Sequence, residues 1–287
     1  MSEVVKIGVI GGSGLYNMPE ITDKTTVSVD TPYGKPSADI VIGTLRGKRV
    51  AFLARHGEGH VYSPTTVPYR ANIYALKSLG VRFIISANAC GSLREDYEPG
   101  HMVIPDQLFD MTKDRKRTFF ESGLVAHVSV AEPFSPELAE QLYIAVQNAG
   151  GTVHQGGNFV IIEGPRFSTK GESNIFRQWG CSIIGMTTCP EAFLAREAEI
   201  AFATIAHITD YDVWHEEPVT VDMVIKTMQH NIEIVKQGIA NAVQNLNEDA
   251  VYDAHTALDN AVLTAPDKIS TDIKDALGVI LQRYTNQ

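Results

Sequence analysis

The chain has 287 residues, of which 44% are hydrophobic and 20% charged, and its formal net charge is −10. That length supplies ample core for a soluble globular protein and suggests one large or two small domains. The acidic balance disfavours nucleic acid or an anionic membrane as partner, so an anionic small substrate would need a local cationic pocket.

Residues 4–10 (VVKIGVI) form a short apolar run suited to a buried strand, ending at Gly11-Gly12-Ser13-Gly14. Glycines here permit a tight turn with exposed N–H groups, which suits an anion. The spacing fails the dinucleotide fingerprint, because Asn17 stands where the third glycine belongs and Pro19 precludes a long following helix. Residues 31–36 (TPYGKP) are a turn cluster, and 40–45 and 49–54 predict paired strands joined through Gly47. The second strand runs into Arg55-His56-Gly57-Glu58-Gly59-His60, and Arg55 with His56 suits a phosphate clamp through the bidentate arginine fork. Helical spacing of Val67, Ala71, Tyr74 and Leu79, closed by Gly80, predicts a helix over 67–80. A strand follows at 82–87, and the small residues from Asn88 to Ser92 read as a loop whose N–H groups can approach a ligand.

Residues 102–105 predict another short strand, and 110–117, with mixed acids and bases, reads as solvated surface. A helix is expected over 133–150 with Ser135 at its cap, then a strand at 158–163 ending in Gly164-Pro165-Arg166-Phe167. Thr169-x-x-Glu172 predicts a capping box, as does Thr188-x-x-Glu191 with Pro190 after a strand at 182–187. The stretch 203–214 (ATIAHITDYDVW) is a buried strand that ends in two acids, Asp210 and Asp212; His207 within it reads as a packed core histidine. Val221, Ile225, Met228, Ile232, Val235, Ile239 and Leu246 mark one face of a long helix, and Ile273, Leu277, Ile280 and Tyr284 mark a last one. No linker divides the chain. The expectation is an α/β fold: a single domain over 1–287, with a mixed β-sheet covered by helices on both faces.

Three cysteines, Cys90, Cys181 and Cys189, have no CxxC spacing, which points to reduced thiols in a cytoplasmic protein and to no zinc site. No basic region followed by a long apolar stretch opens the chain, so no signal peptide is expected, and no apolar run is long enough to span a membrane.

The candidate functional residues lie after strands: Ser13, Arg55, His56, Asn88, Phe167, Met186 and Asp210. Open α/β sheets bind ligands at that end. Gly11 to Gly14, Arg55, His56, the Asn88-Ala89 backbone and Thr187 suit an oxyanion such as phosphate. Phe167 offers a ring face and Met186 a soft apolar surface. Asp210 and Asp212 suit a heterocycle with ring nitrogens and an amino group, and a buried acid pair lets one carboxyl stay protonated. A base, a sugar and a phosphate use all three sets, and the reaction that joins them is phosphorolysis of an N-glycosidic bond.

GVIGGSGLY, VDTPYGKPS, ARHGEGH, VPYRANIYAL, ACGSLRE, VAEPF, IEGPRFST, GMTTCPE and ITDYDVW together resemble the trimeric purine nucleoside phosphorylase family, in its branch acting on 5′-methylthioadenosine. The resemblance runs from Ile7 to about Met228 and is weaker in the C-terminal tail. It implies a purine nucleoside phosphorylase-like fold, a homotrimer, inorganic phosphate as co-substrate and no cofactor or metal. By the same resemblance, phosphate is held by Ser13, Arg55, His56, Ala89 and Thr187. Met186 lies under the ribose, Phe167 beside the base, and Ser168 and Thr209 line the base pocket. Asp210 and Asp212 meet N7 and the 6-amino group. His127 reaches into a neighbouring subunit's site near the 5′-substituent, with Val221, Val224 and Ile225, and His60 lies close by. Asn88 departs from the Thr that close relatives often carry. A 6-oxopurine-preferring phosphorylase, a nicotinamide-dependent oxidoreductase resting on Gly11 to Gly14, and a non-catalytic nucleoside binder are the alternatives.

Overall fold

The computed structural model describes residues 4–12, 15, 18–215 and 220–285. Ser13, expected at the phosphate, therefore lies outside the described residues. Strands β1 (Ile7–Gly11), β2 (Thr22–Val27), β3 (Ile40–Leu45) and β4 (Lys48–Ala54) precede helix α1 (Tyr69–Ser78). Then come β5 (Phe83–Ser92), β6 (Met102–Ile104), β7 (Gln107–Met111), α2 (Pro136–Asn148), β8 (Val153–Gln155), β9 (Asn158–Ile162) and α3 (Lys170–Gln178). The rest is β10 (Cys181–Gly185), α4 (Thr188–Glu197), β11 (Ala201–Asp210), α5 (Val221–Asn245), α6 (Thr271–Leu277) and α7 (Gln282–Thr285).

The described strands join in one mixed sheet of order β2-β3-β4-β1-β5-β10-β9-β7, with β11 also paired to β5 and carrying β6 and β8. Its centre is parallel: β1 lies between β4 and β5, and β5 also pairs β11 in parallel register. Central strands are covered on both faces, so they read as continuous apolar runs whose alternate residues enter two different cores. On β1, Ile10 joins the core under α1 and α4, whereas Ile7 and Val9 join the core under α2 and α5. Outer β2 is almost wholly exposed. Asn231 of α5 donates its side-chain amide to the Ile208 carbonyl at 2.9 Å, tying that helix to β11.

Three expectations change. Residues 88–92 are not a loop: β5 continues through Ser92 because β10 and β11 supply ladder partners along that stretch. The last helix does not run unbroken over Ile273 to Tyr284. It ends at Leu277, and Gly278 takes φ 41°, which diverts the chain through a 3₁₀ turn into α7. The capping box at Thr169 and Glu172 forms, but the one at Thr188 and Glu191 does not. Thr187 is the N-cap of α4, without a side-chain capping bond, and Glu191 is drawn away to Arg55.

Candidate active site

The carboxyl ends of β4, β5, β10 and β11 bring most of the candidate residues together. Arg55 follows β4 and is buried with Glu191 of α4; its Nε and Nη2 each donate to a Glu191 carboxylate oxygen at 2.9 Å. Nη1 donates to the Ala87 carbonyl at 3.0 Å and Nη2 also to Ser86 Oγ at 2.6 Å. This corrects the clamp expected of Arg55. Its bidentate fork is spent on Glu191, and what remains for a ligand is one N–H of Nη1.

From Glu191 the network continues into β5. Ser86 Oγ and Thr204 Oγ1 donate to Asn88 Oδ1 at 2.9 and 2.6 Å, so the Asn88 oxygen is fully engaged. Asn88 Nδ2 donates to Thr187 Oγ1 at 2.8 Å. Thr187 accepts there, so its own hydroxyl hydrogen remains to be donated. Asparagine at position 88 thus acts inside the protein, orienting Thr187. Next to it, Ala89 is the one exposed residue of a strand otherwise buried along its length.

His56 donates from Nδ1 to the Tyr62 carbonyl at 2.8 Å, because a carbonyl only accepts. Burial first, and then the Arg55 charge, push its pKa down to about 4. The ring is therefore neutral near pH 7 and Nε2 is an acceptor, which suits the P–O–H of a protonated phosphate. The exposed His60 stacks on it, ring centroids 4.2 Å apart.

At the end of β11 the two acids face Gly91 of β5. A Cβ there would lie 3.0 Å from Asp210 Oδ1 and 3.2 Å from Asp212 Cβ, so any larger residue would press on both acids. Thr209 Oγ1 donates to Asp210 Oδ2 at 2.7 Å, and the Asp212 N–H donates to Asp210 Oδ1 at 2.8 Å. Thr209 has only one hydroxyl hydrogen and also reaches the Cys90 carbonyl at 3.2 Å. When it turns there, Asp210 Oδ2 is free to hold a proton of its own. Burial raises the pKa of both acids and is the largest influence on each. Asp212 sits at φ 52°, a left-handed conformation uncommon for a residue with a side chain, and its Oδ2 has no hydrogen-bond partner.

Met186 follows β10 and is half-buried; Gly164, at φ 65°, approaches it so closely that a Cβ would lie 2.6 Å from Met186 Sδ. The loop continues to Phe167, which is 40% exposed, and to the buried Ser168, whose Oγ has no partner. Val221 and Ile225 are exposed at the start of α5 and Val224 is half-buried. His127 does not join the acids within this chain. It lines a separate cavity of about 380 Å³ with Phe193 and Glu197. His207 is buried with an unpartnered Nδ1, and burial pushes its pKa down to about 4, in keeping with a core histidine.

Two residues escaped sequence reasoning. Glu191 read as a helix cap, although it is the counter-ion of Arg55. Arg115 read as solvated surface, yet its side chain is 0% exposed. Among the described residues, no cluster of His, Cys, Asp or Glu suits a metal ion, and no helix is long and apolar enough to cross a membrane.

Residues 6–244 match the model of the Phosphorylase superfamily. The S-methyl-5′-thioadenosine phosphorylase of Chloroflexus aurantiacus is 55% identical over 281 residues, covering 97% of this chain and 98% of that protein. Its counterpart in Geobacter sulfurreducens is 49% identical with the same coverage of both chains. Among solved structures, a methylthioadenosine phosphorylase from an antarctic soil metagenomic library superposes with a TM-score of 0.94 at 50% identity, covering 97% of this chain and 99% of the other. The Schistosoma mansoni methylthioadenosine phosphorylase, in complex with adenine, superposes at 0.79 with 40% identity over 83% of this chain and 91% of its own. This chain belongs to the phosphorylase superfamily and, within it, to the S-methyl-5′-thioadenosine phosphorylase family.

Proposed function

We propose that the chain catalyses phosphorolysis of 5′-methylthioadenosine to adenine and 5-methylthioribose 1-phosphate, as a pentosyltransferase of purine and methionine salvage. The observation that carries this reading is the Asp210 carboxyl, buried, raised in pKa and within reach of a second acid. The glycosidic bond breaks with oxocarbenium character while charge builds on the departing purine. A protonated Asp210 gives its proton to N7, and its other oxygen accepts from the 6-amino group. Asp212 supports the second amino proton. General acid help of this kind contributes roughly a hundredfold to ten-thousandfold.

In this reading inorganic phosphate is the co-substrate, with no other cofactor. It is held by Ser13, the remaining N–H of Arg55, His56, the Asn88-Ala89 stretch and the Thr187 hydroxyl, stabilises the cationic sugar and then attacks its anomeric carbon. Met186 underlies the ribose, and Phe167, Ser168 and Thr209 surround the base. Val221, Val224 and Ile225, with His60, receive the methylthio group, and His127 is contributed by a neighbouring subunit of a cytoplasmic homotrimer. The exposure of Val221, at 62%, supports a surface completed by a ligand or a neighbour. The test is chromatography of methylthioadenosine after incubation with and without phosphate. Adenine together with a sugar 1-phosphate, formed only when phosphate is present, is expected. Free sugar released at the same rate without phosphate makes the protein a hydrolase and overturns the reading, and preference for methylthioinosine transfers it to a 6-oxopurine enzyme.

A further inference from the structure

Arg115 lies in the segment that follows β7, between Asp114 and Lys116, yet solvent does not reach its side chain. Every hydrogen of its guanidinium is committed inside the protein. Nε donates to Glu163 Oε1 at 3.2 Å, and Nη2 to the Glu163 carbonyl at 2.6 Å and, more weakly, to the Ile162 carbonyl at 3.5 Å. Nη1 donates to the carbonyls of Met186 and Cys189, both at 2.6 Å, and lies 3.1 Å from the Tyr69 hydroxyl. One planar fork therefore ties together the end of β9, the corner between β10 and α4, and the first residue of α1.

These acceptors need such a donor. Cys189 lies inside α4 at φ −99° and ψ 130°, off the helical geometry, and the Met186 and Glu163 carbonyls stand where strands have ended. Buried carbonyls without a donor are costly, and only a rigid guanidinium spans this set; an ammonium is a point charge with three donors. Glu163 closes the clamp from the other side. Its carboxylate accepts from the backbone N–H groups of Lys113 and Asp114, and it holds Arg115 by an ion pair. Against the opposing effect of burial, these bonds keep its pKa down at about 2.

The clamp grips the nucleoside half of the site at Glu163 and Met186; around Thr187 it holds only the flanking Met186 and Cys189 carbonyls and not the hydroxyl. The Glu163 segment leads through Gly164, in contact with Met186, to Phe167 and Ser168. Thr187, by contrast, is held from below by Asn88. We propose that Arg115 is a positioning residue that fixes the wall at Phe167 and Ser168 against the floor at Met186, setting the width of the nucleoside half of the site and leaving the phosphate half to the Asn88 network. The proposal rests on the phosphorylase reading. Arg115 has no hydrogen left for a substrate and acts through its neighbours. Displacement of such a frame by about 1 Å costs about a hundredfold in rate.

The experiment compares Arg115→Lys and Glu163→Gln with the wild type in steady-state phosphorolysis of methylthioadenosine, with the thermal midpoint as the control for folding. For Arg115→Lys, kcat/KM for the nucleoside is expected to fall about a hundredfold while the phosphate KM stays within about threefold. Glu163→Gln keeps the Met186, Cys189 and Glu163 carbonyl bonds, so the same one-sided effect is expected at about three- to tenfold, and this variant decides the matter if Arg115→Lys does not fold. Equal shifts in both KM values, or no shift in either variant, overturn the proposal. Calorimetric titration of adenine separates the two claims. A wild type that performs no phosphorolysis refutes the enzymatic reading, whereas adenine binding as tight in the folded variants as in the wild type refutes the positioning role.

Discussion

The two ends of the candidate site follow opposite electrostatic plans. Where β4, β5 and α4 meet, a full ion pair between Arg55 and Glu191 is buried, and its neighbours Ser86, Asn88, Thr187 and Thr204 are hydrogen-bonded to one another. Where β11 ends, two carboxyls are buried at raised pKa, one with an unpartnered oxygen on a left-handed backbone. The first end has its charges paired before any ligand arrives and leaves only an Arg55 N–H, the Thr187 hydroxyl hydrogen and His56 Nε2 for one, so it serves as a rigid frame. The second carries an unfavourable term that a ligand with matching donors and acceptors relieves, and interactions realised only as the bond breaks accelerate the reaction most. Stability should therefore depend on the first end and chemistry on the second.

The most severe break of that contrast is Asp210→Asn. The amide is nearly isosteric but has no proton to give, so kcat on methylthioadenosine should fall about 10²- to 10⁴-fold. Relative activity on methylthioinosine should rise, because an amide can donate to O6. Folding should not suffer. A carboxyl whose folded pKa is raised contributes stability that is fully present below its unfolded pKa and is lost as pH rises through the folded value. The variant should thus gain on the wild type across that window. Steady-state kinetics on both nucleosides and denaturant unfolding at several pH values check this, and a kcat near that of the wild type would mean that the acid end is not where the chemistry lies.

Glu191→Gln tests the opposite end. It leaves the Arg55 guanidinium buried without its counter-charge, and breaking a buried pair from one side costs about 3–5 kcal/mol. The loss should appear in denaturant unfolding, while kcat of the folded protein at saturating phosphate should fall far less than in Asp210→Asn. A variant as stable as the wild type would erase the distinction between frame and reactive end.

The same contrast governs what could be read from sequence. The acid end was legible because Asp210 closes, and Asp212 follows, a ten-residue buried strand whose apolar run and termination are local properties. The frame was not. Asn88 to Ser92 are small residues with loop character, and only pairing with β10 and β11, contributed more than 90 residues later, makes them strand. Glu191 satisfies the spacing of a capping box, and the competing attraction comes from Arg55, 136 residues away. Arg115 stands in a run of mixed charge that resembles solvated surface, and its acceptors are mostly backbone carbonyls, which carry no signature in the sequence. The C-terminal helix kept its apolar period across Gly278, and the period alone did not reveal the break.

The finest test concerns Ser173 of α3, which lies against the second acid. It is completely buried, and its hydroxyl, like Asp212 Oδ2, has no aligned hydrogen-bond partner. Burial raises the Asp212 pKa, and the Ser173 hydroxyl is the strongest opposing influence. The Ser173 hydroxyl is thus the donor nearest to hand for the unpartnered Asp212 oxygen. Ser173→Ala removes the donor at almost constant volume, so Asp212 should hold its proton to higher pH and accept less well from an amino group. A hydrogen bond of this kind contributes about 0.5–1.5 kcal/mol, which is roughly a two- to tenfold rise in the methylthioadenosine KM. kcat should hardly change, because Asp210 keeps its proton. The KM should also begin to rise at a higher pH than in the wild type as the solution is made acidic, since protonation of Asp212 removes the acceptor. Measuring KM against pH for the two proteins checks the shift. A KM unchanged at every pH would detach Ser173 from Asp212, and a loss of kcat equal to that of Asp210→Asn would show that the two acids act as one unit.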